Sequence, residues 1–354
     1  MKLEDHLHIK LPIIQAPMAG VQNSTLTIAV SNAGGLGSLA CAMLGMEKLE
    51  QELETIKRHT DKPYNLNFFC HESPAPDAER ESTWRKTLTP YYQELGIDPD
   101  CISEGPSRAP FDEEIVDLIA PYAPPFVSFH FGLPKPELLE RVKLWGAKVL
   151  SSATTVDEAR WLEANGADII IAQGLEAGGH RGMFLTEDVT TQVGTLGLVS
   201  QVLDAVNLPV VAAGGIADAI GVAAVLRLGA IAAQVGTSYL LCPEVTTTAL
   251  HRAAIQGPRA QHTALTNLLT GRPARSVVNR IMQELGPISS APPAFPLAVA
   301  ALSLLRAEAE SEGRDDFTPL WCGQNAKGCK EIPAAELTRM LALEVGALTQ
   351  REYC

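Results

Sequence analysis

A short apolar run passes directly into a glycine-rich loop in Asp168-Ile169-Ile170-Ile171-Ala172-Gln173-Gly174-Leu175-Glu176-Ala177-Gly178-Gly179-His180-Arg181-Gly182. Glycine lets the backbone approach a ligand closely, and His180 at the tip of the loop carries an imidazole that titrates near neutral pH. Two later segments repeat this layout, Leu208–Asp218 and Ala230–Thr237. Three units of this kind favour an α/β enzyme that binds a cofactor.

Short apolar runs alternate with amphipathic stretches along the chain, a pattern typical of repeated βα units on a parallel sheet. The expected strands are Ile13–Ala16, Leu36–Ala40, Tyr64–Phe68, Phe126–Phe131, Ala147–Ser151, Asp168–Ala172, Val210–Ala213 and Ala230–Val235. The expected helices are Ser24–Ala33, Met46–His59, Asp112–Ala120, Pro136–Trp145, Thr155–Asn165, Leu196–Val206 and Ala217–Leu228. The pattern therefore predicts a (β/α)8 barrel, the TIM barrel fold.

Two regions depart from this repeat. Residues 70–110 contain several prolines and charges, and we expect a long loop with a short helix that leans over the barrel mouth. Residues 244–320 are helical but out of phase, which predicts a smaller helical lid domain, and Pro333–Val345 is expected to return to the barrel. The expected organisation is a barrel over 1–243, a lid over 244–320 and a C-terminal return over 321–354.

Composition limits the possible partners. The formal net charge is −13 and there is no run of lysines and arginines, which argues against nucleic acid and anionic membranes and favours a small molecule. The N-terminus lacks the pattern of a signal peptide, so we expect a cytoplasmic protein. The seven cysteines form no Cys-x-x-Cys pair, which suits scattered reduced thiols better than disulfides or a metal site. The sequence gives no oligomeric state.

Glycines follow the seventh and eighth expected strands, where barrel enzymes usually hold phosphate. Gly214-Gly215 and Gly236-Thr237 can point backbone N–H groups and one hydroxyl at phosphate oxygens. A lack of lysine in these loops suits the phosphate of a bound cofactor. The alternative, that each pair only forms a tight βα turn, stays open at this point.

Several motifs in this order resemble the nitronate monooxygenases, formerly called 2-nitropropane dioxygenases, and in particular their class I branch. They are Gln15–Gly20, Asn65–Phe69, Ser128–Gly132, Ala177–His180, Ala213–Asp218, Gln234–Thr237 and Pro319–Gln324. The resemblance implies an FMN-binding TIM barrel with a lid, and oxidative denitrification of alkyl nitronates by O2 through a flavin semiquinone. Propionate 3-nitronate is the family's expected substrate.

The resemblance also assigns roles to single residues. His180 matches the family's catalytic base, and His130 matches a second histidine that shapes the substrate pocket. The residues that would bind FMN are Ala16, Pro17, Met18, Asn67, Gln173, Gly178, Gly179, Gly214, Gly215, Gln234, Val235, Gly236 and Thr237. For His180 both a base and a cationic role are open, because imidazole titrates near neutrality.

The sequence also suggests positions for several phenylalanine and histidine side chains. The rings expected to shape the pocket are Phe68, Phe69, Phe129, Phe131 and Phe184. Solvated positions are expected for His6, His8, His59, His71, His251 and His262, with His71 as the exception to test because it follows the third strand.

Three other functions remain as alternatives. The FMN-dependent enoyl-acyl carrier protein reductases share nearly all the flavin motifs but need NAD(P)H, and no dinucleotide fingerprint occurs here. Barrels like IMP dehydrogenase use a cysteine nucleophile after the sixth strand, where Gly174–Thr186 has none. A flavin-binding sensor without turnover is disfavoured by His180.

Overall fold

The computed structural model describes residues 3–101 and 109–343. Its strands are β1 Ile13–Gln15, β2 Gly37–Ala40, β3 Tyr64–Phe69, β4 Phe126–His130, β5 Lys148–Ala153, β6 Ile169–Gln173, β7 Gly179–His180, β8 Val210–Ala213, β9 Ala232–Val235, β10 Thr263–Thr266 and β11 Ala274–Val277. Its helices are α1 Leu3–Leu7, α2 Ser24–Ala33, α3 Met46–His59, α4 Ala78–Glu94, α5 Glu113–Ile119, α6 Pro136–Leu144, α7 Val156–Ala164, α8 Thr195–Ala205, α9 Ala219–Leu228, α10 Ala249–Gln256, α11 Arg280–Leu285, α12 Ala298–Ser311 and α13 Ala334–Leu341.

Eight parallel strands form the barrel, in the order β1-β9-β8-β6-β5-β4-β3-β2. A parallel bridge between Ile14 and Leu36 joins β1 to the start of β2 and closes the row. All eight expected strands and the seven expected helices are present, with ends that differ by a few residues. The predicted TIM barrel fold is therefore confirmed.

Local sequence explains why these helices begin and end where they do. The side chains of Asp112, Thr155 and Asp218 accept hydrogen bonds from backbone N–H groups in the first turns of α5, α7 and α9. Gly229 ends α9 at φ 113°, in the left-handed region that favours glycine. The βα repeat is thus encoded by caps as well as by hydrophobic spacing.

Alternate residues of each strand belong to two different layers. Ile14, Leu150, Ile169, Ile171 and Val211 pack together inside the barrel, with Leu7 and Ile9 from the N-terminal segment. Their neighbours along the strands, such as Ile13 and Ile170, pack outward against the surrounding helices. Helix α13 joins this outer layer through Ala334, Leu337 and Leu341, beside Leu26 and Val30 of α2. The C-terminal return to the barrel thus has a physical basis over the described residues.

The expectation for residues 70–110 is wrong in one respect. Instead of a long loop with a short helix, the region contains the 17-residue helix α4, with Pro90 inside it. Trp84 and Tyr92 anchor α4 by donating hydrogen bonds to the backbone carbonyls of Ala298 and Ala301 in α12. Contacts with α12, which is distant in sequence, stabilise the helix. The weakly amphipathic sequence of α4 gives no sign of these contacts.

The region 244–320, expected to be helical, also contains two strands that the sequence did not predict. Strands β10 and β11 pair antiparallel, and β11 pairs in turn with β7, so that Ala274 lies opposite His180. Because β7 comes from the glycine-rich loop after β6, the additional sheet holds this loop against the rest of the chain. The three-part division of the chain itself stays a prediction.

Candidate active site

A cleft of about 1350 Å³, part of it open to solvent, lies at the carboxyl ends of the barrel strands. The expected site residues that line it are Ala16, Pro17, Met18, Asn67, His130, Gln173, Gly178, Gly179, His180, Gly214, Gly215, Gln234, Gly236 and Thr237. Val235 does not line the cleft, because its side chain packs in the outer layer of the barrel while its carbonyl accepts a hydrogen bond from Ala16. Fourteen expected site residues, from segments that are far apart in sequence, thus meet at one opening, as the barrel rule requires.

His180 lies at the wall of the cleft on β7, the short strand that pairs with β11. Its Nε2 lies 2.9 Å from Oγ1 of Thr270. Four aromatic rings surround the imidazole, with centroids 5.3 Å away for Phe295 and Trp321, 6.1 Å for Phe131 and 6.3 Å for Phe69. The ring is therefore oriented by one hydroxyl and packed among apolar side chains.

His130 ends β4 beside the same loop. Its Nδ1 lies 3.1 Å from Oγ of Ser152, and its Nε2 lies 3.1 Å from the backbone carbonyl oxygen of His180. Burial lowers the pKa of His130 to about 4, and the nearby charges of Arg272 and Arg181 act in the same direction. The imidazole is therefore neutral at pH 7.

Gln173 and Arg181 hold the backbone of the loop from below. The Gln173 side chain donates to the carbonyl of His180 at 3.0 Å and accepts from the N–H of Gly182 at 2.7 Å. The fully buried guanidinium of Arg181 donates to the carbonyls of Gln173 and Gly174, and to the side chain of Gln192. Burial lowers the pKa of Arg181 to about 9, so the group keeps its charge at pH 7. The loop is thus held in place by both charged and neutral donors.

The segment 321–325 crosses over the glycine loops. Gly323 donates its N–H to Oγ1 of Thr237 at 2.9 Å, and Asn325 donates its side-chain amide to the carbonyl of Gly215 at 3.1 Å. A Cβ on Gly178 would lie 2.5 Å from the backbone nitrogen of Gly323, so only glycine permits this approach. Segment 321–325 therefore covers both loops that are expected to bind phosphate, Gly214–Gly215 and Gly236–Thr237.

The cleft has features that fit a nucleotide cofactor. Gly214 and Gly215 adopt φ values of 118° and 69°, which only glycine reaches readily and which turn the backbone at the expected phosphate site. The side-chain oxygen of Gln234 is buried and has no hydrogen-bond partner among the residues that the structure describes. A buried acceptor in a cleft wall normally has a donor, and a bound ligand can provide one.

Several residues of the site escaped the sequence reasoning. His251 lines the cleft, is only 3% exposed, and contacts the carbonyl of Trp321 through Nε2, so the expectation that it is solvated is wrong. His71, the exception to test, is indeed buried, with 5% exposure and its ring 4.9 Å from that of Phe295. His8, His59 and His262 are exposed and His6 is half-buried. The helical spacing around His251 did not indicate its burial, because its partner Trp321 is distant in sequence.

The expected pocket rings divide into two groups. Phe69 lines the cleft and Phe131 contacts His180. Phe68 and Phe129 instead face outward and pack on Phe111, and Phe184 packs on Trp161 outside the cleft. Alternation along β3 accounts for the opposite directions of Phe68 and Phe69, since successive side chains point to opposite faces. Phe131 lies beyond the end of β4 and has a φ of 71°, so it does not follow the outward face that Phe129 shares. The rings of Phe295 and Trp321, both 5.3 Å from that of His180, were not among the expected pocket rings.

The described residues contain no helix long and apolar enough to cross a membrane. Over the same residues, no group of three or more histidine, cysteine and acidic side chains is arranged to hold a metal ion.

The sequence matches the family model described as "Nitronate monooxygenase" over residues 1–344. The chain belongs to the nitronate monooxygenase family. It is 42% identical over 341 residues to the nitronate monooxygenase of Pseudomonas aeruginosa, a match that covers 96% of this chain and 97% of that protein. The family resemblance inferred from the motifs is therefore confirmed.

Two solved structures extend the comparison. Nitroalkane oxidase from Streptomyces ansochromogenes superposes with a TM-score of 0.87 at 39% identity, over 98% of both chains. FabK from Thermotoga maritima superposes less closely, with a TM-score of 0.72 at 27% identity, over 99% of this chain and 97% of that one. The fold of this nitronate monooxygenase family member is therefore similar to that of the Streptomyces enzyme over nearly the whole chain.

Proposed function

We propose that this protein is an FMN-dependent nitronate monooxygenase that denitrifies alkyl nitronates oxidatively with O2. The observation that carries the proposal is the position of His180, which lies in the cleft wall beside the glycine loops and inside a ring of aromatic side chains. A small anion bound there contacts an imidazole on one side and the cofactor site on the other. The proposed reaction, oxidative denitrification, is the one implied by membership of the nitronate monooxygenase family.

The cofactor part of the proposal rests on the donors and acceptors of the cleft. The backbone N–H groups of Gly214–Gly215 and Gly236–Thr237 would hold the phosphate, and the unpaired oxygen of Gln234 would accept from a flavin N–H or a ribityl hydroxyl. Segment 321–325 covers the phosphate end, which favours FMN over the longer FAD. A bound flavin supplies the oxidation of the substrate anion.

The remaining tasks fall to the protein's own residues. A nitronate carries negative charge, which an imidazolium at His180 would complement, whereas a neutral nitroalkane must first lose a proton, which a neutral imidazole would accept. Thr270 fixes the orientation of the ring in either case. The rings of Phe69 and Trp321 keep water from this side of the cleft.

The test is nitrite release and O2 consumption with propionate 3-nitronate and with its neutral nitroalkane form, for the wild type and for His180→Asn. As a base, His180 is needed only for the nitroalkane, and its loss should lower that activity by roughly 10²–10⁴-fold. As a cationic partner, it is needed for both forms. Unchanged rates on both forms in a variant with normal FMN content would refute a catalytic role, and a wild type that releases no nitrite would refute the function.

The second candidate is an NAD(P)H-dependent enoyl reductase, which the likeness to FabK over 99% of this chain keeps in view. The lower identity to FabK and the lower TM-score favour the nitronate reading. Rapid reduction of the bound flavin by NADH or NADPH in stopped-flow measurements would put the reductase first.

The proposed partners are a small nitronate and O2, without nucleic acid or a membrane. A cytoplasmic location is part of the proposal. It is supported by the cysteines that the structure describes, all of which are free thiols, as expected in a reducing compartment. Cys354 lies outside the described residues.

A further inference from the structure

The backbone carbonyl of His180 is the meeting point of two side chains. It accepts one hydrogen bond from the Gln173 amide at 3.0 Å and faces Nε2 of His130 at 3.1 Å. A carbonyl oxygen can only accept, so Nε2 of His130 must carry a hydrogen. His130 therefore acts as a donor to the residue that bears the proposed catalytic ring.

The other nitrogen of His130 completes the assignment. Nδ1 lies 3.1 Å from Oγ of Ser152. Burial and the nearby cation of Arg272 hold the pKa of His130 well below its usual value, so the ring carries one hydrogen at pH 7. Since that hydrogen is on Nε2, Nδ1 is an acceptor and the Ser152 hydroxyl is its donor. The chain of donation runs from Ser152 to His130 to the His180 carbonyl.

Packing leaves this chain little freedom. A Cβ on Gly182 would lie 2.9 Å from Cε1 of His130 and 2.9 Å from Cβ of Ser152. The backbone two residues after His180 therefore lies directly against both side chains, which are themselves fixed on β4 and β5. A shift of the His130 ring would move the loop that carries His180.

We propose that His130 is a positioning residue, a fixed hydrogen-bond donor to the carbonyl of His180, and that Ser152 keeps its ring hydrogen on Nε2. This assignment differs from the expectation, implied by the family resemblance, that His130 shapes the substrate pocket. Only the kinetic test of this assignment rests on the proposed function. Both nitrogens of His130 are engaged by protein atoms, so neither carries a proton to or from substrate.

The kinetic test compares two substitutions of His130. His130→Gln places an amide N–H near the position of Nε2, whereas His130→Met fills similar space without a donor. We expect His130→Met to lower kcat by about tenfold to a hundredfold through misplacement of His180, and His130→Gln to recover most of that loss with an unchanged pH profile of kcat. An acid–base role predicts instead that both variants lose activity equally and that a limb of the pH profile disappears.

Ser152→Ala supplies the second variant, and it is independent of whether His130→Met folds. We expect Ser152→Ala to lower kcat by less than His130→Met does. The His130 ring can still donate from Nε2 in this variant, but its Nε2–H tautomer is less strongly fixed. Ser152→Thr, which keeps the hydroxyl but adds a methyl group, is the comparison variant and should keep more of the wild-type rate than Ser152→Ala. Equal losses in both variants would show that bulk, not the hydroxyl, matters, and would overturn the role of Ser152.

A spectroscopic readout separates failure of this inference from failure of the proposed function. With the ring nitrogens labelled with 15N, NMR of the wild type should show His130 as a neutral Nε2–H tautomer at pH 7. Its Nδ1 resonance should move in Ser152→Ala, where the hydrogen bond to Nδ1 is lost. An Nδ1–H tautomer or a protonated ring would overturn the proposal, whatever the protein does with nitronates.

Discussion

Gly178→Ala is the substitution that most sharply tests how the site is assembled. The new Cβ would lie 2.5 Å from the nitrogen of Gly323 and 2.6 Å from the carbonyl carbon of Cys322. Both are backbone atoms, so segment 321–325 would have to move by about 1 Å to restore van der Waals contact. Such a movement weakens two hydrogen bonds, each 2.9 Å long. One runs from the N–H of Gly323 to Oγ1 of Thr237, and the other from the N–H of Gln324 to the carbonyl of Glu176.

The expected cost follows from these contacts. Overpacking of a tight site costs roughly 1–3 kcal/mol and each weakened hydrogen bond about 1 kcal/mol, so we expect the free energy of unfolding to fall by about 3 kcal/mol. Trp321 begins the same segment and lies 5.3 Å from the His180 ring, so cofactor affinity and nitrite release should fall as well.

Urea unfolding of the cofactor-free protein and a fluorescence titration with FMN measure the two effects. Gly221→Ala is the matched control, because a Cβ there meets its neighbours at 3.5 Å or more inside α9 and should stabilise the helix slightly. A Gly178→Ala variant that unfolds like the wild type and binds FMN with the same affinity would show that segment 321–325 does not depend on the close approach of Gly178.

Two further predictions concern single polar groups. For His130, the folded-state pKa of about 4 lies below the ordinary value of 6.5, so the unfolded chain binds the proton first and the wild type should lose up to about 3 kcal/mol of stability as the pH falls from 6.5 to 4. That loss should be absent from His130→Gln in chemical denaturation across this pH range, and parallel curves for the two proteins would contradict it. Gln234→Leu removes the buried unpaired oxygen, so the cofactor-free protein should be at least as stable while FMN affinity falls by about tenfold. A less stable apoprotein with unchanged FMN affinity would mean that Gln234 has a structural partner instead.

The barrel could be predicted because its signals are local. Apolar runs, helix caps such as Asp218 and the glycine that ends α9 each act within a few residues, and each occurs where the sequence places it. The glycine loops and His180 could also be assigned to one site, because the carboxyl ends of all barrel strands face the same side.

Features that depend on distant partners could not be predicted. Helix α4 is held by the carbonyls of Ala298 and Ala301, some two hundred residues away. His251 is buried by its contact with Trp321, and Phe295 approaches His180 from beyond β11. None of these contacts leaves a periodic trace in the sequence, because each joins two segments that look ordinary by themselves.

The role of His130 illustrates the same limit. Its place at the end of β4 marks it as a site residue, and the family resemblance gives it a place in the pocket. Only the positions of Ser152 and of the His180 carbonyl distinguish a donor that positions the loop from a group that reacts.

The proposed function is tested most directly by the visible absorption spectrum of the purified protein, recorded before and after anaerobic addition of propionate 3-nitronate. We expect a flavin spectrum, FMN as the only nucleotide released by acid, rapid loss of the oxidised flavin band on addition of the nitronate, and nitrite once O2 is admitted. A protein that contains FAD or no flavin, or whose flavin is untouched by the nitronate but rapidly reduced by NADH, would contradict it.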